Sequence, residues 1–400
     1  MSPAGPEDDV EAIQPGYLGV TPPPGQLPTK GQRSWVDRPE QLLHAVNVLK
    51  QASFVAIDAE FTQARTRTQS NVSNASQRLA LLQLAVDGQC FVVDALRLND
   101  LSPLAAVVEN PAISILLHGA AADLRVMAER GLEVAHYYDL EATCRSIFGQ
   151  HESSLAAMLQ RAFHVRLDKS LQRTDWTRRP LPPAMVAYAA RDAEMTLALY
   201  YWLDQHFSWA LKLHESTNQN EPVATWIEPF LRGASPVPAE IAVAEAIEQG
   251  VLSQEQLQEQ LYADCRAALA SLTHPMRRSR LLRLVADLAL VELAPDIEPL
   301  LAARTAEERA AAIRALSRLE GERNKALIRP LLHDPVQDVR KAAQTALRAP
   351  ASKEPRGRWA MPIKSADGTR SWTVGQAGET GSSDEEEEDW KARLRSLMGE

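Results

Sequence analysis

The sequence predicts a mixed α/β domain, a sheet flanked by helices, followed by an all-α repeat module, with disordered segments at both ends. Three observations carry this. Phe54-Val55-Ala56-Ile57-Asp58-Ala59-Glu60-Phe61 is an apolar run that reads as a strand buried on both faces and ends in two carboxylates. Apolar strand runs then alternate with helical patterns to about residue 207. Beyond residue 262 the pattern is helical throughout and repeats at an offset of 31 residues.

Length and composition fit that outline. A chain of 400 residues has room for two folded domains and flexible ends. Its hydrophobic fraction of 45% and charged fraction of 24% are those of ordinary globular protein. Cys90, Cys144 and Cys265 lie far apart, which excludes a cysteine-rich zinc site and a disulfide framework and suits a reducing, cytoplasmic location. The N-terminus lacks the basic start and apolar core of a signal peptide, and no apolar run is long enough to span a bilayer, so no membrane partner is expected. The net charge of −9 does not argue against nucleic acid, because the run Asp384 to Asp389 supplies six of those charges.

Residues 1–33, with Pro15, Pro22-Pro23-Pro24 and Pro28, read as a disordered lead, and the first domain as residues 34–210. Asp37-Arg38-Pro39-Glu40 opens a helical pattern through Leu42, Leu43, Val46 and Leu49. After the carboxylate-bearing strand, residues 64–78 are almost wholly polar and read as a loop. Leu79 to Val86 and Gln89 to Ala95 form a hairpin about Asp87-Gly88. A helical stretch from Leu101 to Val108 precedes a buried strand, Ile113 to His118, which Gly119 breaks before a helix at Asp123-Leu124. From Ser153-Ser154 another helix carries Leu155, Met158, Leu159 and Ala162 on one stripe. Residues 167–181 are irregular, and Pro182-Pro183 starts a helix bearing Met185, Tyr188, Ala189, Asp192, Met195 and Leu199.

Side chains alternate along a strand, so Asp58 and Glu60 point the same way. Two anions side by side at the end of a core strand repel and lose solvation, and a bound cation relieves both costs. Tyr188 and Asp192, four apart on a helix, share a face. Taken singly these features are weak. The Asp-x-Glu equally describes a strand running into a wet loop, the Tyr–Asp pair a surface hydrogen bond, and Asp123 a carboxylate at a helix start. Together, four acids at strand ends and on a covering helix supply hard oxygen ligands for Mg²⁺ or Mn²⁺. Two such ions roughly 3.5–4 Å apart clamp the attacking and leaving oxygens of a phosphodiester displacement.

In these residues the chain resembles the DEDD 3′–5′ exonucleases. Asp58-x-Glu60, His118-Gly119 followed by Asp123-Leu124, and Tyr188-Ala189-Ala190-x-Asp192 are similar to that family's three motifs. Leu167-Asp168-Lys169-Ser170, then Asp175-Trp176-Thr177-x-Arg179-Pro180-Leu181, resembles ribonuclease D in particular. The resemblance covers about residues 34–207 and implies a ribonuclease H-like fold. Ala187 and Tyr188 place it with the tyrosine branch rather than the branch with a His five residues before the last Asp. It implies that Asp58 bridges two metals, that Glu60 and Asp192 hold the one carrying the nucleophilic water, and that Asp123 holds the other. Tyr188 would orient that water. Lys169, Arg178 and Arg179 are candidates to neutralise substrate phosphates, with salt-bridge or solvated roles weighing equally. His118 is a lesser substrate-side candidate and reads more readily as a core or hinge residue; Trp176 reads as packing.

The second half departs from ribonuclease D. Residues 211–261 read as a helical connector and residues 262–350 as the repeats. Ile297-Glu298-Pro299-Leu300-Leu301 recurs as Ile328-Arg329-Pro330-Leu331-Leu332, with Arg309 matching Arg340 and Ala315-Leu316 matching Ala346-Leu347. His333-Asp334-Pro335-Val336 resembles the turn of short HEAT-like repeats, implying an α-solenoid that binds protein or RNA. Arg277, Arg278, Arg280, Arg283, Arg309, Arg314, Arg318 and Arg340 make RNA possible there, and a solvated face interleaved with acids is the plain alternative. Residues 351–400 read as a disordered acidic tail. The expected function is a 3′–5′ exonuclease that takes RNA 3′ ends and releases nucleoside 5′-monophosphates. A DNA exonuclease and a catalytically weak scaffold are the alternatives.

Overall fold

The apolar runs pair as one six-stranded sheet in the computed structural model of the chain. Described are residues 22–27, 31–63, 77–167, 171, 174–216, 221–232, 238–319 and 321–348, with two two-residue strands at Ile363–Lys364 and Arg370–Ser371. In chain order the first part contains β1 (Gln32–Val36), α1 (Pro39–Leu49), β2 (Phe54–Gln63), β3 (Gln77–Val86) and β4 (Gln89–Asp94). It continues with α2 (Ala105–Val108), β5 (Ser114–Leu117), α3 (Ala121–Ala128), β6 (Tyr137–Asp139), α4 (Leu140–Phe148), α5 (Leu155–Phe163) and α6 (Pro183–Leu213). The strand order is β1-β4-β3-β2-β5-β6. The β2–β3 and β3–β4 pairs are antiparallel; β1–β4, β2–β5 and β5–β6 are parallel.

Alternation along the strands divides the core into two layers. Ala56, Leu81, Ala85, Val92 and Leu116 pack with residues of α4, α5 and α6. Val55, Ile57, Leu82, Leu84, Phe91 and Val93 pack on the other side with residues of α1, α2 and α3. Both faces are covered, which is why these strands read as continuous apolar runs rather than alternating ones.

The N-terminal boundary needs correction. Arg33 belongs to β1 and pairs with Glu194 on α6 through two contacts of 2.7 Å. Part of the expected lead is also packed: Gly25 N donates to the Ala162 carbonyl at 2.8 Å, and Trp202 Nε1 donates to the Pro23 carbonyl at 3.3 Å. A Cβ at Gly25 would lie 2.8 Å from Phe163 and 2.9 Å from Trp202, so only glycine lets the chain lie this close. Proline and glycine mark a break in pattern whether or not the segment packs, which is why these residues read as unstructured. Residues 64–76, most of the polar loop, lie outside the described residues, as does the acidic run near the C-terminus.

The remainder is helical: α7 (Glu228–Leu231), α8 (Ala239–Glu248), α9 (Leu257–Ser271), α10 (Pro275–Asp287), α11 (Ala294–Ile297), α12 (Ala306–Leu319), α13 (Gly321–Ile328) and α14 (Gln337–Arg348). α6 breaks at Phe207 (φ −141°, ψ 36°), three residues before the expected boundary at 210, and resumes to Leu213, whereas α9 runs unbroken across 261/262. The 31-residue offset carries structure with it. A 3₁₀ turn at Glu298–Ala302 precedes α12, and one at Arg329–His333 precedes α14. Arg309 joins the two copies: its Nε and Nη2 donate to Asp334 at 2.7 and 3.0 Å, both side chains being buried. Among the described residues no helix is long and apolar enough to cross a membrane.

Candidate active site

β2 outruns its neighbour. Its pairing with β5 stops at Ala56↔Leu116, whereas its pairing with β3 continues to Gln63↔Gln77, with a bulge between Glu60 and Phe61. Beyond Ile57 one flank of β2 is therefore free of a strand, and Asp58 and Glu60 leave the same face there. That is the face on which α6 packs. α6 carries Tyr188 and Asp192 one turn apart. The result is a tight acidic cluster: one carboxylate oxygen each of Asp58, Glu60 and Asp192 lie within 4.8 Å of one another.

Asp123 enters from α3, in the first turn of the helix that follows β5. The turn between them depends on Gly119, whose φ of +82° is left-handed and whose Cβ would meet Glu141 Oε2 at 2.7 Å. Asp139, at the end of β6, pins this turn. Its carboxylate accepts from Gly119 N (3.1 Å) and Ala120 N (3.3 Å), and also from Glu141 N and Ala142 N at the start of α4. Nothing in the sequence drew attention to Asp139.

The four acids are far from comfortable as anions. Burial raises Asp58 to about 6. Burial, then the charges of Asp58, Asp192 and Asp123, pushes Glu60 to about 9. Burial, then Asp58 and Asp139, pushes Asp123 to about 8. Burial, then Asp58, raises Asp192 to about 7. The Tyr188 phenol is pushed up by burial and by the neighbouring Asp192, Glu60 and Asp58. Asp192 Oδ1 is buried and has no hydrogen-bond partner. An orphaned buried carboxylate oxygen among clustered acids fits a hard divalent cation.

A buried amide sits beside this cluster. Gln83 on β3 is the direct cross-strand partner of Asp58 and is fully buried, yet neither its Oε1 nor its Nε2 is hydrogen-bonded. Its signal in the sequence was a single polar residue inside Leu81-Leu82-Gln83-Leu84, which the reading of that run as a plain strand passed over.

The remaining sequence candidates divide. Arg179 is corrected from phosphate ligand to internal brace. Its guanidinium donates to both oxygens of buried Asp94 (2.6 and 2.7 Å) and to the carbonyls of Trp176, Arg178 and Ala80, which uses all five of its N–H groups. This brace seats Trp176, which is buried as expected, with its ring 6.1 Å from that of Tyr188. Arg178 stays exposed, and Lys169 lies outside the described residues. His118 stands outside the acid cluster: its Nε2 donates to the Ser153 carbonyl at 3.0 Å, and burial holds its pKa below the usual value. That fits the core-or-hinge reading of His118 rather than a substrate ligand.

Known proteins were compared with this arrangement. Residues 34–207 match the family described as 3′-5′ exonuclease. Ribonuclease D of Haemophilus influenzae is 30% identical over 168 residues, 42% of this chain and 40% of that protein. The exosome complex component 10 homolog of Drosophila melanogaster is 30% identical over 167 residues, 41% of this chain and 18% of that protein. The crystal structure of Escherichia coli RNase D aligns with a TM-score of 0.41 at 21% identity, covering 80% of this chain and 76% of that one. The chain thus spans well under half of the length of the curated relatives named here. The sequence matches concentrate on the part that builds the acidic cluster: residues 34–207 match the 3′-5′ exonuclease family and are similar to ribonuclease D.

Proposed function

We propose that the protein trims RNA from its 3′ end, one nucleoside 5′-monophosphate at a time, and that Asp58, Glu60, Asp123 and Asp192 hold two divalent cations, Mg²⁺ or Mn²⁺. The observation that carries this is the convergence of the Asp58, Glu60 and Asp192 carboxylate oxygens within 4.8 Å, with Asp192 Oδ1 buried and unpartnered. When bound, such ions lower the pKa of an attacking water and stabilise the departing 3′ oxygen. Asp58, whose charge acts on the other three acids, would contribute to both ions, Glu60 and Asp192 would hold the one that activates the water, and Asp123 would hold the other.

Tyr188 is no general base. Its phenol is pushed above its ordinary value, so it stays protonated at neutral pH; it interacts with Asp192 one turn on, and its hydroxyl would orient the attacking water. The water gives up a proton to solvent as its oxygen bonds to phosphorus and the P–O3′ bond breaks, and the departing 3′ oxygen takes up a proton, leaving a nucleotide with a 5′-phosphate and a new 3′-hydroxyl on the shortened strand. The choice of RNA rests on the relatives, two of which are ribonuclease D of Haemophilus influenzae and of Escherichia coli.

The test uses matched 5′-labelled RNA and DNA oligonucleotides with Mg²⁺, with Mn²⁺ and with chelator, beside Asp192→Asn. Stepwise 3′ shortening of RNA that requires metal and vanishes in the variant is expected. Faster loss of DNA would move the substrate to DNA, and no shortening of either strand would remove the nuclease reading.

A further inference from the structure

The arginines of the helical half have two fates. Arg277 pairs with Glu221 and Glu228, Arg278 with Glu308, and Arg309 with Asp334, while Arg340 donates to the Asp334 and Pro335 carbonyls. These four hold the fold together. Arg280 and Arg283 on α10, Arg314 and Arg318 on α12, and Lys341 on α14 line one groove of about 980 Å³, Arg280 also donating from Nη1 to the Leu231 carbonyl at 2.5 Å. Arg145, near the end of α4 in the exonuclease domain, closes its other side.

The spacing explains the alignment. Residues 280 and 283, 314 and 318, and 338 and 341 are each three or four apart, so each pair lies on one helix face. α10, α12 and α14 pack side by side, and those faces form a continuous wall. Against six cations the groove has two carboxylates, Glu307 and Asp338. Asp338 is already engaged, accepting from Gln150 N at 2.5 Å and lying 3.4 Å from His151 Nε2. Asp287, outside the lining, lies 3.7 Å from Arg283 and 2.6 Å from Arg318. Arg145 and Arg314 reach no carboxylate within ion-pair distance among the described residues. The excess of positive charge is therefore real and faces solvent.

We infer that this groove is a second nucleic-acid site, one that grips the phosphate backbone of the RNA upstream of the 3′ end being trimmed. This rests on the exonuclease reading above. The floor between the cations is alanine (Ala310, Ala311, Ala315, Ala342, Ala346), and no lining residue is aromatic or a large aliphatic. A protein partner needs apolar anchors, which are absent from this lining. Base stacking needs aromatic rings, absent likewise, so the groove reads charge and not sequence. The groove also adjoins the catalytic half. Its wall includes Gly149 and Gln150, four and three residues before Ser153, whose carbonyl His118 holds, and His118 is five residues before Asp123.

The test is binding by the full chain, in chelator so that nothing is trimmed, of 5′-labelled RNAs of about 5 and about 30 nucleotides. The variants are Arg283→Gln/Arg314→Gln and the charge reversal Arg283→Glu/Arg314→Glu, all at exposed positions. For the long RNA the reversal is expected to weaken binding about tenfold, and the neutral pair to lower the slope of log K against log salt by roughly 1.4. Binding of the short RNA, and its trimming once metal is supplied, should stay at wild-type values. Long-RNA affinity and salt slope equal to wild type in both variants would overturn the inference. If the wild type trims no RNA, the exonuclease reading fails, while the comparison of wild-type and variant binding still decides the groove.

Discussion

Asp58 and Gln83 face each other directly across the β2–β3 pair, on the side of the sheet that α6 covers, and the Gln83 amide is buried with both polar atoms unbonded. A buried amide without partners costs about 1–3 kcal/mol, so its presence weakens the fold. The position makes sense if the amide steadies Asp58, or the water around it, once a cation is present. Gln83→Leu keeps the volume and removes the unmet hydrogen bonds. We expect an unchanged or raised Tm together with Mn²⁺ affinity weakened about tenfold, measured by calorimetric titration. Wild-type metal affinity in this variant would show that the amide serves no such purpose.

The acid cluster should make metal-free stability depend on pH. Asp58, Asp192, Asp123 and Glu60 stand at about 6, 7, 8 and 9 in the folded chain, against about 4 when unfolded. A folded pKa above the unfolded one contributes stability at low pH that is lost as pH rises through the folded value. In chelator, Tm should therefore fall from pH 6 to pH 9, and Mg²⁺ or Mn²⁺ should raise Tm more at the upper end. Differential scanning fluorimetry in the two conditions reads this directly. A metal-induced rise in Tm that shrinks towards pH 9 would contradict the assignment.

Buried histidines give the opposite limb. His214, bonded through Nε2 to Ser146 Oγ at 2.7 Å, and His274, with ring centroids 5.0 Å apart, join the end of α6 to the start of α10. Burial, followed for His214 by His274 itself, lowers His214 to about 3; burial also lowers His274 to about 4. A depressed histidine pKa contributes stability above its unfolded value of about 6.5 that is lost as pH falls towards the folded one. Acid unfolding should start below pH 6 with the helical half, and His274→Asn should shift its midpoint to lower pH. Tryptophan fluorescence and circular dichroism followed through the same titration would test this; a midpoint unmoved in the variant would count against it.

Arg178 and Arg179 are adjacent and should behave differently. Arg179→Lys leaves Asp94 and three carbonyls without the planar five-donor group that satisfies them, at a cost of about 3 kcal/mol. Trimming should slow with it, because Trp176 and Tyr188 lose their backing. Arg178→Ala should leave Tm unchanged and only lower RNA affinity and its salt slope. Equal losses of Tm in the two variants would refute the division.

Much of the half that holds the acids was legible because its signals are local. A strand's period of two put Asp58 and Glu60 on one face, a helix's period of four put Tyr188 beside Asp192, and both survive folding unchanged. The 31-residue offset likewise reappeared as matched turns and helices. What local pattern could not carry was partner choice. Arg178 and Arg179 look alike until Asp94, 85 positions away, claims one of them. Gly25 looks like a break until Phe163 and Trp202 close over it.

The sequence by itself determined the α/β and all-α halves and put Asp58 beside Glu60 and Tyr188 beside Asp192, since each depends on periodicity within one element; Asp123 joined them only through the motif resemblance. Only the tertiary structure decided that β2 outruns β5 to open the site, that Gln83 lies unbonded opposite Asp58, and that four of eight arginines turn inward while the others line one groove. Those outcomes depend on which distant side chains arrive to satisfy a buried charge or amide, and desolvation makes that choice only when the elements pack.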